Sequence, residues 1–498
     1  MENIIITNDS SVKKEAVFSA KEKAMAFAAM ILGFLFIKLA AAPYMVYGGL
    51  GIGSWLFLLF ALFFTLAGSS DKRITRNKAI RIILYVLFSS VVVISANTLI
   101  QGLSFIFCAL ILIYGCFADS HREIDSVRGY FISDMLAAAF APVSYMNDCP
   151  RAAKSAVSGC SAAGTMKNLL LGLAAAIPLT PVAAVLLMSA DGGFADMLSE
   201  LTNSGFTSAV QFAFQFGIGI PVSFYIFGLM RSPAEDMSEY DEAYDRRMSM
   251  ARKFPAQAAF FSVIPLCLLY VMFFFSQASY FLSSFASSLP ENIDSYSEYA
   301  RRGFFELCLV ALVNLIAIAF INIFSCRRSD GKKSAYIRTI TCVLCVMTLF
   351  LIVIAMSKMA MYIDVFGLTR LRFYTSWFMI LLAVVFAGIF IMAVREGFNL
   401  PRFAVTAFTA MFALLCFSGA DRLIAEYNVS RYLNGSLETV DISMFRELSA
   451  DAVPAARKLY GSVSEFEAEW LDEIISEKTR NLDMRLITIS EVMNGRDD

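Results

Sequence analysis

The sequence is poor in the residues that enzymes use for acid–base and metal chemistry. Its 498 residues include a single histidine, His121, which argues against a histidine-based metal site or proton relay. Charged residues form only 17% of the chain, whereas a soluble domain has roughly a quarter. The net charge of −1 gives no bias toward nucleic acid. No His-Glu-x-x-His, nucleophile-elbow or dinucleotide-loop motif is present. We therefore expect no metal, no cofactor and no nucleic-acid partner, and nothing in the chain argues for an enzyme.

The ten cysteines are distributed as in a protein without disulfides. None lies in the polar tail after Asp421, and the predicted topology places each in a membrane span or on the cytoplasmic side. Such a distribution is typical of a reduced protein. Cys342 and Cys345 have the Cys-x-x-Cys spacing, but they lie inside an apolar run, which favours packing over redox chemistry.

Long apolar segments, by contrast, are abundant. Hydrophobic residues make up 58% of the chain, and many runs are about 18 to 24 residues long, the length that a helix needs to cross ~30 Å of hydrocarbon. The sequence therefore predicts an all-α, polytopic integral membrane protein with about eleven transmembrane helices. These spans are predicted at about 24–47, 50–67, 82–100, 103–117, 169–188, 209–230, 257–281, 303–325, 337–359, 373–394 and 403–420.

Lysine and arginine are distributed unequally between the predicted loops, and cytoplasmic loops are the ones that carry an excess. Basic residues crowd the N-terminus and the loops at 71–81, 118–168, 231–254, 326–338 and 395–402. The alternate loops at 48–50, 101–102 and 190–207 have none, although those at 282–302 and 360–372 do. We therefore predict a plasma-membrane protein with a cytoplasmic N-terminus and, because the span count is odd, an extracytoplasmic C-terminus.

This topology divides the chain into three parts. Residues 1–23 form a cytoplasmic arm, and residues 24–420 form the transmembrane domain, with cytoplasmic loops at 118–168 and 231–254. Residues 421–498 form a small extracytoplasmic helical tail, whose 16 acidic and 9 basic residues agree with a location outside the cell.

Two helices are predicted within the cytoplasmic loops. The stretch 130–146 is only mildly apolar and contains Asp134 and Pro142, which favours an amphipathic helix on the membrane surface over a span. In the stretch 232–255 acidic residues come first and basic residues last, an order that suits the dipole of a short helix.

Further helices are predicted in the tail. Ser464 and Glu467 have the spacing of a capping box, and an earlier helix opens within 450–457. The apolar residues predicted to form the packing face after the capping box are Phe466, Trp470 and Ile474.

Glu306 is the most informative polar residue, because it lies within the first two turns of a predicted span. Arg302, Glu306, Val310 and Asn314 are four residues apart and form one slowly turning stripe. A charge inside a span faces protein or water rather than lipid. Glu306 is therefore either a site residue for an ion, a substrate or a proton, or the structural partner of Arg302.

Lys38 is a second charge inside a span. It lies deeper than Glu306, about nine residues from the predicted outer end of the first span, and a long lysine stem reaches several ångströms. A pair between Lys38 and Glu306 is one prediction. The alternative is that Lys38 extends toward the outer headgroups.

The loop after the ninth span holds three basic residues, Lys358, Arg370 and Arg372, against the positive-inside trend. These residues are expected to bind anionic lipid headgroups, a ligand or acids of the tail. The simplest alternative is local salt bridging to Asp364 and Asp421.

Proline and glycine interrupt two predicted spans, at 178–181 and 217–221, and broken spans often line transporter sites. Simple kinks are the alternative. A row of residues in the sixth span predicts close helix packing, and it consists of Gln211, Gln215 and Gly219.

The stretch 331–334, Gly-Lys-Lys-Ser, is similar to the end of a phosphate loop. It lacks the first glycine, however, which favours a cytoplasmic basic anchor.

Four stretches together resemble a known bacterial membrane family. They are Tyr-Ala-Arg-Arg-Gly-Phe-Phe-Glu-Leu at 299–307, the loop 362–372 with its Phe-Gly-Leu-Thr core, Ala-Glu-Tyr-Asn-Val-Ser-Arg-Tyr at 425–432 and Leu-Ser-Ala-Asp-Ala-Val-Pro at 448–454. The family is the domain of unknown function DUF4173, with its sister family DUF4153, and the likeness covers the C-terminal half from the seventh span into the tail. Arg302 stands where the family has a more variable, often acidic residue. The resemblance implies a bacterial plasma-membrane protein and brings no activity.

Two functions fit these features. The in-span charges and interrupted spans favour a transporter or permease with an outward-facing polar site, formed by Glu306, Arg302, Lys38, Asn314, Asp364, Arg370 and Arg372. The long loops and the tail favour a membrane scaffold or a sensory, regulatory component without transport. Beyond the lipid bilayer, the partner is then a small ligand or another protein. A water-filled cavity that reaches Glu306 would favour transport, and a solid bundle would favour the scaffold.

Overall fold

The computed structural model describes residues 18–69, 73–120, 129–157, 207–231, 237–285, 304–328, 332–395 and 397–479, together with a few isolated positions. Within these ranges the chain is helical apart from its connections, and the β-type pairing there is one parallel bridge between Phe254 and Ser325. The predicted all-α class is therefore confirmed.

The helices are numbered here in chain order. Before residue 255 they are α1 (Ala20–Phe36), α2 (Ala42–Tyr47), α3 (Ile52–Gly68), α4 (Arg76–Ile94), α5 (Thr98–Ser120), α6 (Phe131–Tyr145), α7 (Asp148–Val157), α8 (Thr207–Arg231) and α9 (Met237–Ala251). After it they are α10 (Ala256–Phe285), α11 (Phe304–Phe324), α12 (Ala335–Phe366), α13 (Arg370–Val394), α14 (Leu400–Phe417), α15 (Ala420–Leu433), α16 (Met444–Glu447), α17 (Val453–Ala456) and α18 (Glu465–Thr479).

Eight of the described helices are long and apolar enough to cross a membrane, so the chain is a multi-pass membrane protein. They are α1 with its continuation to Tyr44, α4, α5, α10, α11, α12, α13 and α14. Helices α3 and α6 are apolar but shorter, and α8 occupies the predicted sixth span. The predicted fifth span at 169–188 lies almost entirely outside the described residues. The count of about eleven therefore stays a prediction.

The chain divides into two compact units. The first comprises Met1–Lys38, Phe64–Gly68 and Phe140–Ser232, and the second comprises Leu39–Phe63, Ser69–Ala139 and Pro233–Asp498. Within the first unit α1 and α8 pack closely through small residues. A Cβ atom on Gly33 would overlap the hydroxyl of Ser223 and the carbonyl of Gly219. The close packing that was predicted around Gly219 is thus present.

Of the two alternatives for the sixth span, the broken helix is wrong, because α8 continues through Pro221. Pro221 has no N–H to donate to the carbonyl of Gly217, so one backbone hydrogen bond is missing. The helix continues on both sides of this position. The prolines predicted to interrupt the fifth span lie outside the described residues.

The first span contains an irregularity that was not predicted from the sequence. Residues Ile37–Ala41 form a π-helical turn that contains Lys38. Pro43 has no N–H to donate to the carbonyl of Leu39, and the Ser54 hydroxyl donates to that carbonyl instead, at 2.8 Å. The π turn is therefore attributable to Pro43, whose position four residues after Leu39 is visible in the sequence.

The second unit contains a large apolar core between α10, α11, α12 and α13. Helix α12 has 32 residues, which corresponds to a length of about 48 Å. Because the hydrocarbon layer is ~30 Å thick, α12 extends beyond it by several turns. Its C-terminal end leads into the short connection to α13.

The C-terminal segment, residues 420–479, has a separate apolar core that joins α15 to the shorter helices after it. The capping box that begins α18 is confirmed, since Ser464 and Glu467 hydrogen-bond each other's backbone N–H groups. The predicted packing face is only partly right. Phe466 is 76% exposed, and the buried stripe consists of Leu471, Ile474 and Ile475.

Both helices predicted in the loops are present, as α6 and α9. Asp134 is buried, so it faces inward from α6. The exposed side of this helix is apolar and is formed by Ile132, Leu136, Phe140 and Val143. Such a stripe suits contact with lipid.

Candidate functional site

Three of the four sequence stretches that carry the family resemblance meet in the second unit. The loop between α12 and α13, the helix α15 and the turn before α17 contact one another through polar side chains. Three contacts, which we call the C-terminal clamp, make the connection. They are Arg370–Asp421, Leu368–Asn428 and Asp364–Arg431.

Asp421 is the centre of the clamp. Its side chain is 0% exposed and lies in the first turn of α15, where a negative charge interacts favourably with the helix dipole. Arg370, the first residue of α13, donates from Nε to Oδ1 at 2.9 Å and from Nη2 to Oδ2. The backbone N–H of Ser449 also donates to Oδ2, at 2.8 Å. This bidentate pair with an added backbone donor is the arrangement that compensates a buried carboxylate.

Two further polar side chains, those of Tyr374 and Lys478, lie beside the clamp. Tyr374 lies one turn after Arg370, and the Asn97 side chain donates to its hydroxyl at 2.8 Å. On the other side, Lys478 donates to the carbonyl of Arg446 at 3.0 Å. Burial, with the nearby Arg370 guanidinium, lowers the pKa of Lys478. Polar side chains of α13 and α18 therefore lie beside the clamp.

Asn428 holds the loop between α12 and α13 in place through two hydrogen bonds. Its Oδ1 accepts from the N–H of Leu368 at 2.7 Å and its Nδ2 donates to the carbonyl of Leu368 at 2.7 Å. A side-chain amide here satisfies both backbone groups of one residue. Gly367 precedes this point with φ +72°, and a Cβ atom on it would lie 2.6 Å from Asn428 Oδ1. The loop therefore requires glycine at 367.

The remaining charges of the loop have defined partners. Arg431 on α15 pairs with Asp364 at 3.0 Å. Arg372 donates to the carbonyls of Phe366 and Gly367, which caps the end of α12, and its guanidinium lies 4.0 Å from the centre of the Tyr362 ring. Of the predicted local salt bridges, the one between Arg370 and Asp421 is present. Asp364 forms its ion pair with Arg431 of α15 rather than with a basic residue of its own loop.

Asn314 lies in the interior of the spans. It is fully buried on α11, where its Oδ1 accepts from the Tyr270 hydroxyl at 2.6 Å and its Nδ2 donates to the Thr348 hydroxyl at 2.9 Å. Thr348 in turn donates to the carbonyl of Leu344 at 2.6 Å. These bonds join α10, α11 and α12, so Asn314 acts as a buried polar link between three helices.

Glu306 is exposed in the first turn of α11. Lys358, which was predicted in the loop after the ninth span, is a buried residue of α12. Arg302 lies outside the described residues. Lys38 and Glu306 belong to different units, so their predicted pair stays a prediction.

The described residues contain no group of three His, Cys, Asp or Glu side chains arranged to hold a metal ion. None of the nine cysteines in the described ranges forms a disulfide. The contacts of the clamp are ion pairs and hydrogen bonds between helices and the loop that joins α12 to α13.

Comparison with known proteins gives one family. Residues 82–459 match the family described as Domain of unknown function (DUF4153). No curated protein and no solved structure matches the chain. The match begins within α4, well before the C-terminal half in which the sequence resemblance was noticed, and it includes every residue of the clamp.

Proposed function

Because the chain belongs to the DUF4153 family, whose description assigns no activity, we propose a function from the clamp: a sensor or regulatory scaffold of the bacterial plasma membrane. In this proposal the C-terminal segment responds to a signal on the extracytoplasmic side. The clamp transmits the state of that segment to α12 and α13. The buried pair of Asp421 and Arg370 is the observation that carries the proposal.

The clamp supports regulation better than transport because its charges are engaged with one another. A substrate site needs polar groups that remain available to a ligand. Here Asp421 receives three donors, and Asn428 is occupied by the backbone of Leu368. Such contacts hold one segment against another, and a two-state change between closed and open clamps is a known basis for signalling.

A transporter or permease is the second candidate, and specific observations favour it. The π turn at Ile37–Ala41 contains a charged residue within a span, and π turns occur frequently at functional sites. Glu306 and Lys358 are two further ionisable residues that lie within membrane-spanning helices.

The proposed orientation, with the N-terminus in the cytoplasm and residues 421–498 outside, makes a direct prediction. A cysteine in place of Glu438, which is exposed in the C-terminal segment, is expected to react with a membrane-impermeant maleimide on intact cells. A cysteine in place of Arg247 on α9 is expected to react only after permeabilisation, because the positive-inside rule puts α9 in the cytoplasm. The opposite pattern would contradict the orientation.

The function itself is tested by complementation. The transcript profile of cells that lack the protein is compared with that of cells expressing Asp421→Asn or Glu306→Gln at the wild-type protein level. If the protein is a sensor or scaffold, Asp421→Asn fails to restore the wild-type profile and Glu306→Gln restores it. Arg422→Gln, which breaks the exposed ion pair to Glu426, serves as the matched control and restores it.

The reverse result, loss of function in Glu306→Gln with full function in Asp421→Asn, would reject the sensor and favour transport. Equal profiles for Asp421→Asn and Arg422→Gln would also reject it, because the buried pair would then carry no signal.

A further inference from the structure

A basic cluster lies at the opposite end of α12 from the clamp. It consists of Arg252, Arg327 and Lys333, which follow α9, follow α11 and precede α12, respectively. The connection after α9 and the connection between α11 and α12, which are distant in sequence, are thereby brought together. The structure holds these segments in place through backbone contacts as well as side chains.

These two connections pair through their backbones. The N–H of Phe254 donates to the carbonyl of Phe324 at 3.2 Å, and the N–H of Cys326 donates to the carbonyl of Phe254 at 2.8 Å. The thiol of Cys326 also donates to the carbonyl of Arg252, at 3.3 Å. Arg252 and Arg327 are therefore positioned by a short parallel bridge, the one β-type pairing in the described ranges.

Lys333 is fixed beside them. Its ammonium group donates to Asn322 Oδ1 at 2.7 Å and lies 3.7 Å from the sulfur of Met392. The N–H of Arg328 donates to the carbonyl of Lys332 at 3.0 Å, which closes the turn that leads into α12. The lysine thus lies between the end of α11 and the end of α13.

The cluster has an excess of positive charge. Burial, with the charges of Arg327 and Arg252, lowers the pKa of Lys333 to about 8. Burial and Arg252 also lower the pKa of Arg327, and the nearby carboxylate of Asp245 only partly offsets this. Asp245 is itself engaged by the hydroxyl of Tyr130, at 2.9 Å.

One donor of the cluster lacks an acceptor. The Nε atom of Arg252 is buried and makes no hydrogen bond within the described part of the chain. A buried donor of this kind costs free energy unless a ligand satisfies it. Arg327 is exposed, so part of the cluster's positive charge lies at the protein surface.

We propose that the basic cluster binds a phosphate group. Two guanidinium groups and one ammonium group are the donors that proteins use for phosphate oxygens, and the N-terminal end of α12 adds a dipole of the favourable sign. Within the stretch 331–334, which was predicted to be a basic anchor, Lys333 is the residue that contributes. The phosphate belongs either to the headgroup of an anionic phospholipid or to a soluble anion. Basic pockets between spans are known to take such headgroups.

The test uses the full-length protein, purified in detergent and stripped of lipid. Inorganic phosphate is titrated by calorimetry, and phosphatidylglycerol is compared with phosphatidylcholine by native mass spectrometry. We expect wild-type protein to bind at least one of the two phosphate probes and Arg252→Gln to bind it about tenfold more weakly, because a charge-assisted hydrogen bond is lost. Lys253→Gln removes the same charge one residue away, from an exposed position, and is expected to bind as wild type.

Binding of phosphatidylglycerol without inorganic phosphate would assign the site to a lipid headgroup, and the reverse would assign it to a soluble anion. Equal weakening by Arg252→Gln and Lys253→Gln, or no binding of either probe by wild type, would overturn the proposal.

The pKa of Lys333, followed by NMR of ¹³C-methylated lysines, gives a second readout that does not depend on affinity. It is expected to rise when the phosphate probe binds, because an anion stabilises the ammonium form. An unchanged pKa at saturating probe would also overturn the proposal.

Discussion

Asp421→Asn is expected to lower the free energy that holds the C-terminal segment in place by about 3 to 5 kcal/mol, the usual cost of removing one partner of a buried ion pair. Asparagine keeps the shape of the side chain but removes the charge, and it leaves the Arg370 guanidinium, which is 25% exposed, without its counter-ion. Hydrogen exchange of the amides in α18, measured in detergent micelles, reports this opening free energy directly.

The control for this prediction is the neighbouring ion pair. Arg422→Gln breaks the pair with Glu426, whose arginine side chain is 63% exposed, and the expected loss is about 0 to 1 kcal/mol. Similar exchange rates in the Asp421 and Arg422 variants would show that burial of the aspartate has no energetic consequence.

Gly367→Ala is expected to have the second largest effect, for two reasons that act together. The backbone at 367 has φ +72° and ψ −176°, a region that is open essentially only to glycine and costs other residues about 1 to 3 kcal/mol. The added methyl group would also lie 2.6 Å from Asn428 Oδ1. Asn428 would then have to move, and its two hydrogen bonds to Leu368 would be lost at about 1 kcal/mol each.

Gly435→Ala is the comparison variant that lacks the steric contribution. Gly435 also has a positive φ, +70°, but nothing lies within 4 Å of the position that a Cβ atom would occupy. Thermal unfolding of the Gly367 variant should therefore begin at a clearly lower temperature than that of the Gly435 variant. Equal shifts would mean that only the backbone conformation matters and that Asn428 does not pin the loop.

The all-helical class and most of the spans follow from the sequence because apolar runs of membrane length leave the backbone no alternative to a helix. The pair between Arg370 and Asp421 was also within reach, since both residues were assigned to the same side of the membrane. Its burial was not. Nothing local to Asp421 distinguishes it from the many acids of the polar tail, and its environment depends on how the C-terminal segment folds back.

Other contacts of the clamp cannot be predicted from a single sequence. Asn428 acts on the backbone of a residue 60 positions away, and an amide that satisfies backbone groups has no characteristic spacing. Lys358 was predicted to belong to the loop after the ninth span, which was expected to end at about residue 359. The helix continues to Phe366 and encloses the lysine through tertiary packing, which overrides the local pattern.

The most direct test of the clamp is a double-mutant cycle on Asp421 and Arg370. The opening free energy of α18 is measured by hydrogen exchange in wild type, Asp421→Asn, Arg370→Gln and the double variant. If the two side chains form the pair that holds the segment, the double variant is less destabilised than the sum of the single variants, with a coupling of about 1.5 kcal/mol or more. Additive effects, with a coupling near zero, would contradict the clamp.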